Sequence, residues 1–239
     1  MNIEISQLNS NYINILNEYN LVLKQRNEYL KIIRSGKLDE IYFDILNEKM
    51  IDLSEYIYKY RIAFISELNN NITSVFKDIS GYDGLKVNYI PNVDISDISQ
   101  FRKNMHDKLN NNISREILLG NTLYGPHRDD FSFILNENDL LIYGSQGQIK
   151  MAVLALKLAE IDVFYKKCGE YPVLLLDDLF SELDVDKRNK VINYLNRDIQ
   201  TIVTTTDLKN IDKRLIRKAT IYNIENAKII DTNYKKDVI

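Results

Sequence analysis

The sequence predicts an α/β protein, in which a mostly parallel sheet with helices carries a long antiparallel helix hairpin. Two observations predict it. Residues 1–119 hold two prolonged helical patterns separated by a single glycine. From residue 120 onward, short apolar runs alternate with helical ones, the order expected of strands laid parallel through helical crossovers. The expected division is a helical arm domain with a small α/β part at 1–119, and an α/β lobe at 120–239.

In the first helical pattern Ile5, Leu8, Tyr12, Ile15, Tyr19 and Val22 recur at three- and four-residue steps. Arg26 interrupts this narrow, coiled-coil-like stripe, and Tyr29 and Ile33 resume it. Ser35-Gly36 ends the helix, as glycine does just past a helix terminus. A second helix follows along Ile41, Ile45, Leu53, Ile57, Tyr60, Phe64, Leu68 and Ile72. Two long helices joined by a short turn form a hairpin. GYDG (81–84) reads as a turn and LKVNYI (85–90) as a strand ended by Pro91. Phe101, Met105, Leu109 and Ile113 mark a helix from about 97 to 119.

The second half is read in the same way. DFSFIL (130–135) and LLIY (140–143) flank NEND and suggest a β-hairpin. KMAVLALKLAEIDVFY (150–165) is a strongly apolar helix. VLLLD is a strand, 184–196 a helix, QTIVTTT (200–206) a strand and 209–219 a short helix. TIYNI and AKII close the chain as a hairpin around Glu225-Asn226.

Bulk properties narrow the classes. The chain has 239 residues, 45% hydrophobic and 27% charged, enough for a substantial core. Its net charge of −3 gives no global basic field, so any nucleic-acid contact must be a local patch. One cysteine, Cys168, excludes an internal disulfide and fits a reducing, cytoplasmic setting. No apolar run reaches the length of a membrane span, and MNIEISQLNS lacks the basic start and apolar core of a signal peptide. No His/Cys spacing suggests structural zinc.

Chemistry concentrates in two stretches. In VLLLDDLFSELD (173–184) an apolar strand runs into Asp177 and Asp178, and Asp184 follows. A buried strand ends in carboxylates where something compensates their charge, and the carboxyl end of a parallel strand is the usual ligand crevice. There Asp177 would hold Mg²⁺ through its water shell, and Asp178 would face an attacking water as general base. The plainer reading is a strand ending in a polar turn. In YGSQGQIK (143–150), Ser145, Gly147 and Gln148 precede the apolar helix. A helix N-terminus with free N–H groups and a close-approach glycine suits an anion such as a γ-phosphate. The plainer reading makes Ser145 only a cap. No stretch matches the phosphate-cradling G-x-x-x-x-G-K-[ST], and Lys37 in RSGKL follows no strand.

Taken together, GSQGQ, VLLLDDLFSELD and QTIVTTTD resemble the signature, Walker B, D-loop and switch segments of an ABC-type ATPase. LYGPHRDDF followed closely by GSQGQ resembles one branch of these, the RecF family of recombinational-repair ATPases. The likeness is specific from Leu123 to Asp207 and looser in the helical first half, where IEISQLNSNYINILNEYNLVLKQRN resembles the start of the RecF helical arm. Asp178 stands where transporters carry Glu, as in RecF-like proteins. Thr206 stands where transporters place a switch histidine.

The resemblance implies the C-terminal lobe of an ABC-type ATPase with an inserted helical arm. In this family the phosphate loop lies upstream of the arm, so the chain is expected to be the C-terminal portion of such a protein and inactive alone as an ATPase. The intact protein would bind ATP and Mg²⁺ and form a homodimer with ATP. It would bind single-stranded or gapped DNA and, with mediator proteins of the RecR and RecO type, help load a recombinase. Ser145, Gly147 and Gln148 would act on the partner's nucleotide and Asp177 and Asp178 on the protomer's own, with Asp184 and Thr206 as further nucleotide-binding residues. His127 and Arg128 either contact nucleotide or the partner's signature loop, or shape a structural turn.

Basic clusters at Lys24 and Arg26, at Lys31, Arg34 and Lys37, and at Lys213, Arg214, Arg217 and Lys218 are either solvated helix faces or DNA contacts. Other SMC- or transporter-type ATPases share GSQGQ and LLLDD, and a non-enzymatic hairpin module is a further alternative.

Overall fold

The computed structural model describes residues 1–36, 39–177, 183–195, 199–206, 208 and 213–233. Asp178, Lys37 and Asp207 therefore lie outside the described residues.

The first helical pattern is two helices, α1 (Asn2–Leu8) and α2 (Ser10–Arg34), where one continuous helix was expected. Asn9 divides them because its side chain accepts from the N–H groups of Asn11 (3.0 Å) and Tyr12 (3.2 Å), the bonds of an N-cap. The second helix, α3 (Glu40–Ser80), starts on an Asp39 cap and stops at Gly81, whose φ of 82° is the left-handed conformation of a helix C-terminus.

Contacts between α2 and α3 run in opposite sequence directions. Tyr29 meets Tyr42, Arg26 meets Asn47, Lys49 meets Glu18 and Tyr12 meets Tyr60, so the hairpin is antiparallel. Tyr12, Tyr19, Val22, Leu53, Ile57, Phe64, Leu68 and Ile72 are buried, as the periodicity implied. Ile41 and Ile45 are not; they are 76% and 57% exposed, and Phe43, Leu46 and Met50 fill the seam instead.

Strand β1 (Leu85–Ile90) leads through a short 3₁₀ turn to α4 (Phe101–Leu119), and the connection 120–129 returns to β2 (Asp130–Leu135). β1 and β2 pair antiparallel from Leu85↔Leu135 to Ile90↔Asp130, so one sheet is built from both sides of residue 119. The expected hairpin partner of β2 is a correction. β3 is only Asn138–Asp139, and LLIY is a short helix, α5 (Leu140–Tyr143). Asp139 accepts from Leu141 N–H at 2.8 Å and turns the chain into a helix, while β1 already occupies the other edge of β2.

Helix α6 (Gln146–Cys168) is buried on much of its circumference, from Met151 and Ala152 to Val163, consistent with an interior helix. It lies against the arm, with Lys167 paired to Glu67 at 3.3 Å and Lys157 to Glu4 at 2.9 Å. β4 (Leu174–Leu176) and β5 (Thr201–Val203) are parallel, with α7 (Val185–Leu195) between them in sequence. Helix α8 (Lys213–Lys218) precedes a hairpin of β6 (Ile221–Glu225) and β7 (Lys228–Asn233). Its turn is Asn226-Ala227, with φ of 50° and 59°, one residue later than the sequence suggested. Among the described residues, no helix is long and apolar enough to cross a membrane.

Candidate functional site

Parallel pairing sets the first part of the site. Leu176 pairs with Val203, so the residues that follow each strand continue side by side. Thr204 N–H donates to the Leu176 carbonyl at 2.9 Å, and the Thr204 hydroxyl donates to Asp177 Oδ1. Asp177 is exposed, and no cationic side chain pairs with it among the described residues. Its remaining lone pairs are hard oxygen donors beyond the end of a parallel strand. That donor chemistry fits a hydrated Mg²⁺, which is commonly held by one or two carboxylates, waters and phosphate oxygens rather than by a full protein cage. Among the described residues no cluster of three His, Cys, Asp or Glu side chains forms a cage of that kind.

Thr204 was not singled out in the sequence. The signal was the register, since aligning LLLD with TIVT places position 204 beside 177. Thr206, which was singled out, is exposed two residues further on. Asp184 caps α7: its Oδ1 accepts from Lys187 N–H at 2.9 Å and its Oδ2 meets Lys187 Nζ at 2.7 Å. The hydrogen-bonded Lys187 ammonium holds the Asp184 carboxyl below its ordinary range.

Ser145, Gly147 and Gln148 stand at the start of α6. Ser145 Oγ accepts from Gln148 N–H at 3.2 Å, and Gln148 Oε1 accepts from Ser145 N–H at 2.9 Å, a complete capping box. The Ser145 hydroxyl proton and the Gln148 NH₂ remain to donate. A Cβ on Gly147 would meet only Ser145 Oγ, at 4.0 Å, so its backbone is open to close approach. Among the described residues no hydrogen bond or ion pair joins this turn to Asp177.

Around GPHRDD the polar groups satisfy one another. Gly125 has φ 129°, and a Cβ there would come within 2.8 Å of the Tyr19 hydroxyl. His127 Nε2 lies 3.1 Å from the Thr122 carbonyl, which can only accept, so Nε2 carries the proton. Nδ1 therefore accepts from the Tyr19 hydroxyl at 2.6 Å. Burial lowers the His127 pKa from its ordinary value of 6.5, against the raising effect of the Thr122 bond. Arg128 reaches the same Thr122 carbonyl at 3.2 and 3.4 Å, with its side chain exposed. Asp129 is buried. It accepts from Arg61 Nη1 (2.7 Å), Tyr58 Oη (3.1 Å), Asn92 N–H (2.8 Å) and the Tyr89 hydroxyl.

Arg26 is a correction to the basic-cluster reading. It is fully buried, so it is neither a solvated face nor available to DNA. Nε donates to Asn47 Oδ1 (2.8 Å), Nη1 to Thr122 Oγ1 (2.8 Å) and Nη2 to Glu116 Oε2 (2.7 Å), and the guanidinium lies 5.0 Å from the Phe43 ring centre. It ties the two arm helices to the end of α4. His106 rests on the surface, 3.0 Å from Glu48.

Comparison with known proteins bears on these arrangements. No family model matches the chain. It is 36% identical to the DNA replication and repair protein RecF of Shouchella clausii (strain KSM-K16) over 96% of this chain and 63% of that protein. The same-named proteins of Ligilactobacillus salivarius (strain UCC118) and Geobacillus sp. (strain WCH70) are 35% and 38% identical, covering 98% and 96% of this chain and 63% of each relative. The chain thus spans somewhat less than two thirds of the length of the curated relatives it matches. Among solved structures it is similar to the recombination mediator protein RecF-ATPrS in the RecFOR pathway. There the TM-score is 0.82 and the identity 28%, over 95% of this chain and 60% of that one. A second, RecF-ATP in the same pathway, gives a TM-score of 0.77 and 32% identity over 86% and 56%. In sequence the chain is similar to the RecF proteins over most of its own length, and it shares their fold.

Proposed function

We propose that this chain supplies the arm, signature turn and magnesium carboxylates of a RecF-type ATPase acting in recombinational DNA repair. The observation that carries the reading is Asp177: an exposed carboxylate at the end of a parallel strand, oriented by Thr204 and held by no cation among the described residues. Its similarity to RecF proteins named for DNA replication and repair, and to RecF-ATP, supports the rest.

In this scheme Asp177 would hold Mg²⁺ through its water shell, and Asp178, outside the described residues, would accept the proton of the attacking water. Bound Mg²⁺ would supply neutralisation of phosphate charge. The phosphate loop comes from a part of the family length that the 239 residues do not match. Ser145, Gln148 and the N–H groups at the start of α6 donate to the γ-phosphate held by a second protomer, and Gly147 lets that phosphate approach.

ATP would close the dimer and slow hydrolysis would open it. The closed form would hold single-stranded or gapped DNA, and with mediators of the RecR and RecO type it would help load a recombinase. The proposal places the protein in the cytoplasm. It treats 1–119 as an arm domain and 120–239 as the ATPase lobe, with the β1–β2 pairing as the seam between them.

Asp178→Asn tests it. The 239 residues alone hydrolyse no ATP. In a protein of full family length, Asp178→Asn retains ATP binding and accumulates dimer in sedimentation with ATP, because the base is lost while shape and much of the hydrogen bonding remain. Turnover by the 239-residue chain that Asp178→Asn abolishes would contradict the reading. So would a full-length variant that stays monomeric where the unaltered protein dimerises.

A further inference from the structure

The end of α4 and the start of its connection to β2 run along α2, and basic side chains accompany Leu118, Gly120, Thr122 and Tyr124. At Leu118, Arg34 Nη1 reaches the carbonyl at 3.5 Å. At Gly120, the stem of Lys31 lies across the backbone, so that a Cβ there would be 2.8 Å from Lys31 Cγ. At Thr122, Arg128 donates from Nε and Nη2 to the carbonyl. At Tyr124, Lys108 Nζ stands 5.4 Å from the ring centre. Lys24, two turns before Lys31 on α2, lines a shallow groove with Lys31, Asn27 and Asn121.

These five cations share a second property. On other parts of the surface Lys49, Lys59, Lys77, Arg102, Lys187 and Lys190 are each paired with a carboxylate, whereas Lys86, Lys103 and Arg115 make no ion pair among the described residues. Among the described residues Lys24, Lys31, Arg34, Lys108 and Arg128 make no ion pair. Asn27 accepts from Thr122 N–H and Oγ1–H with its oxygen, at 2.7 Å each, which leaves its NH₂ as a further donor in the groove. Glu28 is the one carboxylate lining that groove.

We infer that this track of Lys24, Lys31, Arg34, Lys108 and Arg128 holds the phosphate backbone of a DNA strand. The inference rests on the proposed DNA role for the identity of the polyanion and deepens it by naming the surface. The cations are strung along a connection that from Leu118 to Tyr124 reaches at most about 20 Å. A single phosphate calls for converging donors, whereas charges in a line suit a partner that repeats its charge. The groove offers the amide and ammonium donors of Asn20, Lys24, Asn27, Lys31 and Asn121, groups that suit phosphate oxygens.

The test is fluorescence anisotropy of a labelled oligothymidylate with the 239-residue chain, without nucleotide, across a NaCl series. The unaltered chain binds, with log affinity falling linearly in log salt. The combined variant Lys24→Gln, Lys31→Gln, Arg34→Gln loses about tenfold or more at low salt. Its salt slope shrinks by about 2, from roughly 0.7 per phosphate contact on a single strand. Glu28→Gln tightens binding. Lys49→Gln and Lys59→Gln, whose ammonium groups are already paired, bind as the unaltered chain does. Circular dichroism melts confirm equal folding.

The inference is overturned if the triple variant keeps the affinity and slope of the unaltered chain, or if the paired controls fall as far. It is also overturned if polyglutamate competes as well as DNA, which would make the partner an acidic protein segment. An unaltered chain that binds no DNA without nucleotide overturns it, and leaves standing the proposed function, in which the ATP-closed dimer holds DNA. The ATP-dependent dimerisation test is independent of all these outcomes, since no nucleotide is present here.

Discussion

Asp129 and Asp177 occupy similar words in the sequence, HRDD and LLDD, and opposite situations in the fold. Asp129 has a side chain 1% exposed and accepts from an arginine, two tyrosines and a backbone N–H. Asp177 is exposed and, among the described residues, accepts from Thr204 alone. A carboxylate with its lone pairs used is a structural post, and one with lone pairs to spare can hold a ligand. The same contrast separates Arg26, buried on Glu116, from Lys24 and Lys31, which carry their charge to the surface. Saturation, rather than residue type, divides the arm base from the candidate sites.

Breaking each side of the comparison gives the largest expected difference. Arg61→Ala leaves Asp129 as an uncompensated buried charge and should cost about 3–5 kcal/mol in urea unfolding, as should Arg26→Ala for Glu116. Asp177→Ala removes an exposed group and should stay within about 0.5 kcal/mol. Equal losses at Asp177 and Arg61 would erase the distinction.

Much of this arrangement was legible in the sequence, and the parts that were not trace to particular residues. Helix α3, strand β1 and the parallel strands rest on local periodicity and on glycine stops at Gly36 and Gly81. The capping box is written within four residues, from Ser145 to Gln148. Arg26 looked like a flaw in the helix seam because its partners, Glu116 and Thr122, lie some 90 positions away and are named only by the fold. LLIY carried a strand-like run, but the Asp139 side chain caps it as a helix. Thr204 became visible only through the register of two parallel strands. Non-local pairing decided Arg26 and Thr204, and a local cap decided LLIY.

A smaller effect sharpens the contrast through pH. Burial lowers the His127 pKa, so the folded protein sheds a proton that the unfolded chain binds below about pH 6.5. Its contribution to stability is complete above that pH and declines as pH falls through it. The difference in stability between the unaltered protein and His127→Asn should therefore shrink from pH 7.5 toward pH 5. A gap that widens on acidification would mean that His127 gains a proton on folding.

The central claim is that Ser145 serves a nucleotide held by another protomer. As a cap alone, Ser145 is worth about 1 kcal/mol of stability, and its loss should touch the fold rather than assembly. The most direct measurement compares Ser145→Arg with the unaltered protein at full family length, by nucleotide affinity under monomeric conditions and by dimer fraction at saturating ATP. The account predicts unchanged affinity and a lost dimer, because the bulky side chain obstructs the closing interface while the protomer's own pocket is untouched. A Ser145→Arg protein that dimerises normally, or that fails to dimerise only because ATP no longer binds, would contradict it.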